Sequence, residues 1–255
     1  MTETPSAVRD RGVALVTGGA KRIGRAICLE LAAAGYDLAI HHRDSADEAA
    51  GLVDEIREMG RRAVPLSADL ADIEATRALV GQATAALGPL SVLVNNASVF
   101  GDDRLDSLTG DSWAAHMDVN LRAPVMLTQA FAAQAPDDAV IVNILDQRVL
   151  KPDPRFFSYG LSKSALWVAT KTMAQALAPR IRVNGVGPGP TLPSVHQAAG
   201  EFEAEARATL LQRAGSPEAV AEAVRWLVDA RQVTGQMIAV DGGQHLAWKT
   251  PDILE

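Results

Sequence analysis

Short apolar runs and helix-patterned segments alternate along this chain with no linker between them, and that alternation restricts the fold more than any other feature. The runs are Val13–Thr17, Asp37–His42, Arg62–Ser67, Leu90–Asn95, Ala139–Leu145, Ile181–Val186 and Gln236–Val240. Most are nearly continuous in Val, Ile, Leu and Ala, the pattern of parallel strands buried on both faces. Helical spacing fills the intervals: Arg25–Ala34, Ala46–Met59, Ile73–Leu87, a long segment from about Asp111 to Gln134, Phe157–Leu177, Glu201–Arg213 and Pro217–Asp229. Gly35, Gly60 and the Gly88-Pro89 pair supply stop signals. Pro124 predicts a kink or a break in the fourth helix. Alternation of this kind makes an α/β fold, a doubly wound parallel sheet covered by helices on both faces.

Size and charge fit that reading. A chain of 255 residues can bury a substantial core. Its net charge of −7, with no Lys/Arg block, argues against nucleic acid or an anionic membrane as a partner. A single cysteine, Cys28, permits no intrachain disulfide, which suits a reducing cytoplasm, and Cys28 itself reads as a small core residue. Residues 1–11 read as a polar, flexible lead-in without the apolar core of a signal peptide. No run reaches the length of a membrane span. Residues 12–255 then form one domain. Within it, 188–213 is rich in Pro and Gly at its start and reads as a lid.

In a doubly wound sheet, ligands bind beyond the carboxyl ends of the strands. The polar residues of interest fall there in succession: the glycine loop Gly18–Gly24, then Arg43, Asp69, Asn95–Ser98 and Asp146. Glycine lets a loop approach a pyrophosphate, and the helix that follows offers free N–H donors. At the end of the second strand an acidic residue favours the ribose hydroxyls of NAD, whereas Arg favours the 2′-phosphate of NADP. Here Arg43 and His42, with Lys21 and Arg22, form a basic cluster suited to that phosphate. Asp44 is the one residue that points the other way, so the preference reads as NADP(H) over NADH.

Farther on, Tyr159 and Lys163 are four residues apart and share a helix face. An ammonium beside a phenol is expected to lower the tyrosine pKa toward working pH, making Tyr159 a general acid or base. Asp146 ends the fifth strand and can converge on the same point.

Thr17-Gly with Ile23-Gly24, Asp69-Leu70, Asn95-Asn-Ala97, Asn120, Tyr159 with Lys163, Arg182-Val-Asn-Gly-Val-Gly-Pro-Gly189 and Thr234-Gly-Gln with Val240-Asp-Gly-Gly243 together resemble a short-chain dehydrogenase/reductase over residues 12–245. The resemblance implies a single Rossmann-type sheet in strand order 3-2-1-4-5-6-7, NADP(H)-dependent hydride transfer, and a homotetramer. It implies that Tyr159 is the proton donor, that Lys163 lowers its pKa and holds the nicotinamide ribose, and that Asn120 anchors a water leading to Lys163. It places Gly18, Ile23, Asn96, Ala97, Ser98, Pro188, Gly189 and Thr191 along the cofactor, with Asp69 and Leu70 at the adenine. The long helices at about 111–134 and 157–177 are its expected subunit contacts.

Three positions depart from the usual pattern. Arg22 replaces a loop glycine, Ser98 replaces the glycine after Asn-Asn-Ala, and Asp146 replaces the catalytic serine. With Phe100 and Tyr159, these resemble the pteridine reductase and dihydromonapterin reductase branch, in which the equivalent residues surround a pterin. A flat pterin can stack between Phe100 and the nicotinamide, with Arg22 and Ser98 as donors to its heteroatoms. Burial of Asp146 would favour its neutral acid, which could supply the proton for reduction of C=N. Plainer roles stand beside these: Phe100 as lid packing, Arg22 as a surface charge, Asp146 as a cap or ion-pair residue. Arg148, Lys151, Asp153 and Arg155 either face solvent or meet an anionic tail on the substrate. Other readings are reduction of a ketone, sugar or acyl-thioester carbonyl, and a nucleotide sensor without turnover. No metal is implied.

Overall fold

The computed structural model describes residues 11–193 and 200–249. Residues 1–10 of the expected lead-in and residues 194–199 of the expected lid lie outside the described residues. Seven strands, β1 (Val13–Val16), β2 (Asp37–His42), β3 (Ala63–Ser67), β4 (Leu90–Asn95), β5 (Ala139–Ile144), β6 (Ile181–Pro188) and β7 (Met237–Val240), form one sheet in the order 3-2-1-4-5-6-7. All neighbouring pairs are parallel. The helices are α1 (Arg22–Ala33), α2 (Ala46–Glu58), α3 (Ile73–Leu87), α4 (Gly110–Met117), α5 (Ala123–Gln134), α6 (Phe157–Leu177), α7 (Glu201–Arg207) and α8 (Pro217–Asp229).

The register explains why the strand sequences are apolar throughout. Ala39, Leu15, Leu93, Ile141 and Val183 lie side by side across five strands, and their side chains join one core layer. The adjacent row, Leu38, Ala14, Val92 and Val140, joins the layer on the opposite face. A strand residue alternates face at each step, so a sheet covered on both sides needs hydrocarbon at every position. Each Leu or Ile so buried contributes about 1.5–3 kcal/mol. The first layer is closed by Leu79 of α3, Leu127 and Phe131 of α5 and Ala174 of α6. The second is closed by Ile27 and Leu31 of α1, Ile56 of α2 and Val224 and Leu227 of α8.

Local signals set most boundaries. Asp72 caps α3 by accepting the N–H groups of Glu74 and Ala75 at 2.8 and 3.1 Å. Gly88, at φ 102°, ends it. Ser216 caps α8, with Pro217 in its first turn. Three expectations need correction. The first helix starts at Arg22 rather than Arg25, so Arg22 and Ile23 belong to its first turn. The helix expected over 201–213 stops at Arg207. The long helix around Asn120 is two helices joined by a π-helical turn, Asp118–Arg122. Pro124 sits in the first turn of α5, directly after the π-helical turn. The break therefore precedes the proline and centres on Asn120.

Candidate active site

The glycine loop between β1 and α1 shapes one wall of the site. Gly18 has φ +60°, and a Cβ at Gly24 would lie 2.1 Å from the Gly18 carbonyl oxygen, so neither accepts a side chain without rearrangement. Two side chains brace this loop. His41, at the end of β2, accepts the Gly18 N–H through Nδ1 (3.0 Å). Asn96 donates through Nδ2 to the carbonyls of Thr17 and Gly18 (2.9 and 3.0 Å). Asn96 thus supports the loop from behind, and its backbone N–H and that of Ala97 are themselves held by Thr17 Oγ1. Because Gly18 donates to Nδ1, the His41 ring carries its proton on Nε2, which donates to the Ala68 carbonyl at 3.1 Å.

Beyond the strand ends lies a cleft of about 600 Å³, within the size range of small-ligand sites. Gly18, Lys21, Arg22, Ile23, His42, Arg43, Asp69, Leu70, Asn96, Ala97 and Ser98 all line it. The basic cluster is not made of free cations. Arg43 pairs with Asp44 (2.6 Å) and Lys21 with Glu48 (2.6 Å). These pairs are exposed and weak, so a phosphate can displace them. His42 Nδ1 is buried and has no partner among the described residues. Asp69 accepts the Ala71 N–H (2.9 Å), and Leu70 is buried. Arg22, at φ 53°, donates to the carbonyls of Pro193 (3.1 Å) and Leu192 (3.5 Å). It thereby ties the glycine loop to the segment after β6. In that segment, Thr191 Oγ1 donates to the Gly189 carbonyl (3.0 Å), and a Cβ at Gly189 would lie 2.7 Å from Asp241 Cα. Pro188 is the last residue of β6.

At the end of β5, Tyr159 and Asp146 meet: the phenol hydroxyl donates to Asp146 Oδ2 at 2.9 Å. Asp146 Oδ2 also accepts from Arg148 Nη1 (3.2 Å), and Oδ1 accepts the Arg148 backbone N–H (2.8 Å). The carboxyl is therefore a cap and an ion-pair partner as well as the acceptor for Tyr159. Every one of these neighbours donates to it. Burial first, then the nearby Asp146 charge and the bond to it, holds the Tyr159 phenol well above its ordinary pKa. The expected lowering by Lys163 is outweighed by burial first and by Asp146 second, which favour the protonated phenol. Lys163 donates to the Ile144 carbonyl (2.8 Å), with Nζ 5.8 Å from the centre of the Tyr159 ring. Burial, partly opposed by Asp146, brings its pKa down to about 8.

Phe100 lies against this pair. Its ring is edge-on to Tyr159 (centroids 4.8 Å apart) and stacked on Phe156 (4.5 Å, 24°). Arg148 lies over the other aromatic, 5.3 Å from the Phe156 centroid, and its second nitrogen is 3.9 Å from Glu205 on α7. Arg155 is paired with Asp153, and Lys151 reaches the Ala247 carbonyl (3.4 Å). Asn120 accepts the Val99 N–H (2.8 Å) and the Ser98 hydroxyl (3.2 Å), and donates to the Val99 carbonyl (2.9 Å) and Ser162 (3.1 Å). Its amide thus ties the Ser98–Val99 loop to α6. Phe156, Arg148 as a partner of Asp146, and His41 as a brace are contacts the sequence did not declare. Phe156 stands beside Phe157, and which of the two faces the site depends on its left-handed backbone (φ 54°).

A family model described as short chain dehydrogenase matches residues 12–204. An uncharacterized oxidoreductase of Mycobacterium tuberculosis is 35% identical over 249 residues, 92% of each chain. The 3-oxoacyl-[acyl-carrier-protein] reductase FabG of Staphylococcus aureus is 31% identical over 240 residues, 91% of this chain and 98% of that protein. Among solved structures, FolM alternative dihydrofolate reductase 1 from Brucella canis, complexed with NADP, is similar with a TM-score of 0.93 and 47% identity. That likeness covers 98% of this chain and 100% of the other.

Proposed function

The chain belongs to the short-chain dehydrogenase family, and from that premise we propose that it is an NADPH-dependent reductase of pterins, taking a dihydropterin to a tetrahydropterin. The observation that carries this reading is the hydroxyl of Tyr159 bonded to Asp146 at 2.9 Å with the Phe100 ring edge-on to it. The cleft fits NADPH: Gly18 and Gly24 open the loop to a pyrophosphate, and Arg43, Lys21 and the unpaired His42 Nδ1 suit a 2′-phosphate. When bound, that cofactor supplies the hydride.

The chain's own residues do the rest. Phe100 offers a flat apolar surface to a bicyclic heteroaromatic ring. Asp146 offers carboxylate oxygens to the N–H groups that a pterin carries and a simple ketone lacks. Tyr159, kept protonated by burial and by Asp146, holds the proton that reduction of a C=N bond requires. Lys163, anchored to β5, keeps a positive charge beneath the phenol near neutral pH. The FolM likeness supports the pterin assignment. The FabG likeness, at lower identity, supports the second reading, reduction of an acyl-thioester carbonyl.

NADPH oxidation followed with dihydrobiopterin, dihydrofolate, an acetoacetyl thioester and simple ketones separates the two. Pterin turnover above all carbonyls is expected, and turnover of carbonyls alone removes the pterin reading. Replacing Asp146 by Ser should lower pterin reduction by roughly ten- to hundredfold while changing ketone reduction less, since one charge-assisted bond is worth about 1.5–3 kcal/mol. Equal losses on both would show that Asp146 does not select the substrate.

A further inference from the structure

A second buried polar cluster lies behind the aromatic wall of the site, made of Asp103, His116 and Ser158 at 4%, 2% and 0% exposure. Its bonds have a fixed direction. The Gly101 backbone N–H can only donate, and it donates to His116 Nε2 at 3.1 Å. The ring proton therefore sits on Nδ1, which donates to Ser158 Oγ at 2.6 Å. The Ser158 hydroxyl in turn donates to Asp103 Oδ2, and the Ser158 backbone N–H donates to Asp103 Oδ1 at 2.9 Å. The Phe157 N–H donates to the Asp103 carbonyl at 2.9 Å.

These are the residue types of a hydrolytic triad in the wrong order. The serine proton points at the carboxylate, and the histidine donates to the serine, so no nucleophile is generated. The cluster does something else. Phe156, the N-cap of α6, has no side chain that caps, so the first N–H groups of the helix lack a local acceptor. Asp103 supplies one from a separate loop, and a carboxylate at a helix N-terminus is favoured by the dipole as well. At its other end, the relay grips Gly101, the residue after Phe100. It thus joins the loop that carries Phe100 to the helical turn that carries Phe156 and Tyr159.

We propose that Asp103, His116 and Ser158 are positioning residues that fix the spacing between the Phe100 ring and the Tyr159 hydroxyl, and so decide which flat substrates are held in line with the proton donor. Phe100 contacts both Phe156 and Tyr159, and the His116 ring lies edge-on to Tyr159 with centroids 6.1 Å apart. A shift of either carrier would alter both stacking and proton reach. The choice of pterin as substrate rests on the function proposed above; the spacing role does not.

The test compares His116→Gln, which can still accept from Gly101 and donate to Ser158, with His116→Leu, which can do neither. Both are assayed on dihydrobiopterin and on the best carbonyl substrate, with NADPH affinity measured by fluorescence. Expected is a roughly ten- to hundredfold loss of kcat/KM in the Leu variant, shared between kcat and KM. The Gln variant should stay within about threefold of the parent, and NADPH affinity of both within about twofold. Equal activity of the Leu variant and the parent overturns the proposal, as does a parallel loss in Gln and Leu. Should the Leu variant fail to fold, Ser158→Ala and Asp103→Asn break the relay at its other links and must lower kcat/KM in the same way; unchanged kinetics in both overturns the proposal. If the parent reduces only a carbonyl, the pterin function falls, but the Gln–Leu contrast on that carbonyl still decides the spacing role.

Discussion

Tyr159 and Lys163 divide two tasks that their spacing alone assigns to one pair. The phenol, buried and bonded to Asp146, stays protonated, whereas Lys163 is the group that changes charge within reach of ordinary assays, at about pH 8. Below that value the ammonium is present; above it the charge is lost. We expect kcat/KM for reduction to fall above about pH 8, close to tenfold per pH unit, because kcat/KM reports ionisations of the free enzyme. Unfolding from this group would not explain the fall. Between about pH 8 and the unfolded value near 10.5 the unfolded chain binds the extra proton, so native stability rises with pH across that window. A pH–rate profile flat to pH 9.5 would refute the assignment, and in Lys163→Arg, which does not titrate, the limb should disappear. Arg43 belongs to the same level of argument. Its partner Asp44 is exposed, so its removal costs little stability, but loss of a guanidinium–phosphate bond costs about 1.5–3 kcal/mol. Arg43→Ala should raise KM for NADPH roughly ten- to hundredfold and leave KM for NADH nearly unchanged. A matched rise for both would credit Asp44 instead.

The elements that carry these residues were readable where their signals are local. Gly88 and Pro217 mark helix ends that the structure reproduces. The π-turn at Asp118–Arg122 was not readable. A π-turn has no composition of its own, and this one coincides with a buried Asn120 that binds a neighbouring loop. The brace between β2 and the glycine loop was equally hidden, since His41 reads in sequence as one more basic residue beside His42 and Arg43. Its burial holds the imidazole neutral, with a pKa brought down to about 4. The unfolded chain therefore takes up a proton near pH 6.5 that the native state refuses until about pH 4. Stability from this residue is complete above pH 6.5 and is lost as pH falls through that window, by about 3 kcal/mol in all. Urea unfolding at pH 7 and pH 4.5 checks this. His41→Gln can keep both bonds without titrating, so its stability should depend less on pH than that of the parent; identical pH dependence would remove His41 as the cause.

At the level of the whole molecule, one sheet with two apolar layers accounts for the chain's core, and no described helix is long and apolar enough to cross a membrane. Trp113 on α4 and Leu161 and Val168 on α6 remain 41%, 40% and 56% exposed. We propose that these helix faces are covered in a homotetramer. Light scattering should then give about four times the 26.9 kDa of one chain, and Leu161→Glu with Val168→Glu should lower that mass. A monomeric parent would rule this out.

Strand and helix alternation, glycine placement and the run of polar residues at successive strand ends are written into the sequence, because each depends on neighbours a few residues away. From them came the sheet, its strand order by resemblance, the cleft and the meeting of Asp146 with Tyr159. The sense of each proton was not written there. Tyr159 finds Asp146 thirteen residues away, His116 finds Ser158 forty-two away, and Asp103 reaches the same serine across fifty-five. Such partners are chosen by how loops pack over the sheet, and a buried group's protonation follows its partner and its burial rather than its position in the chain.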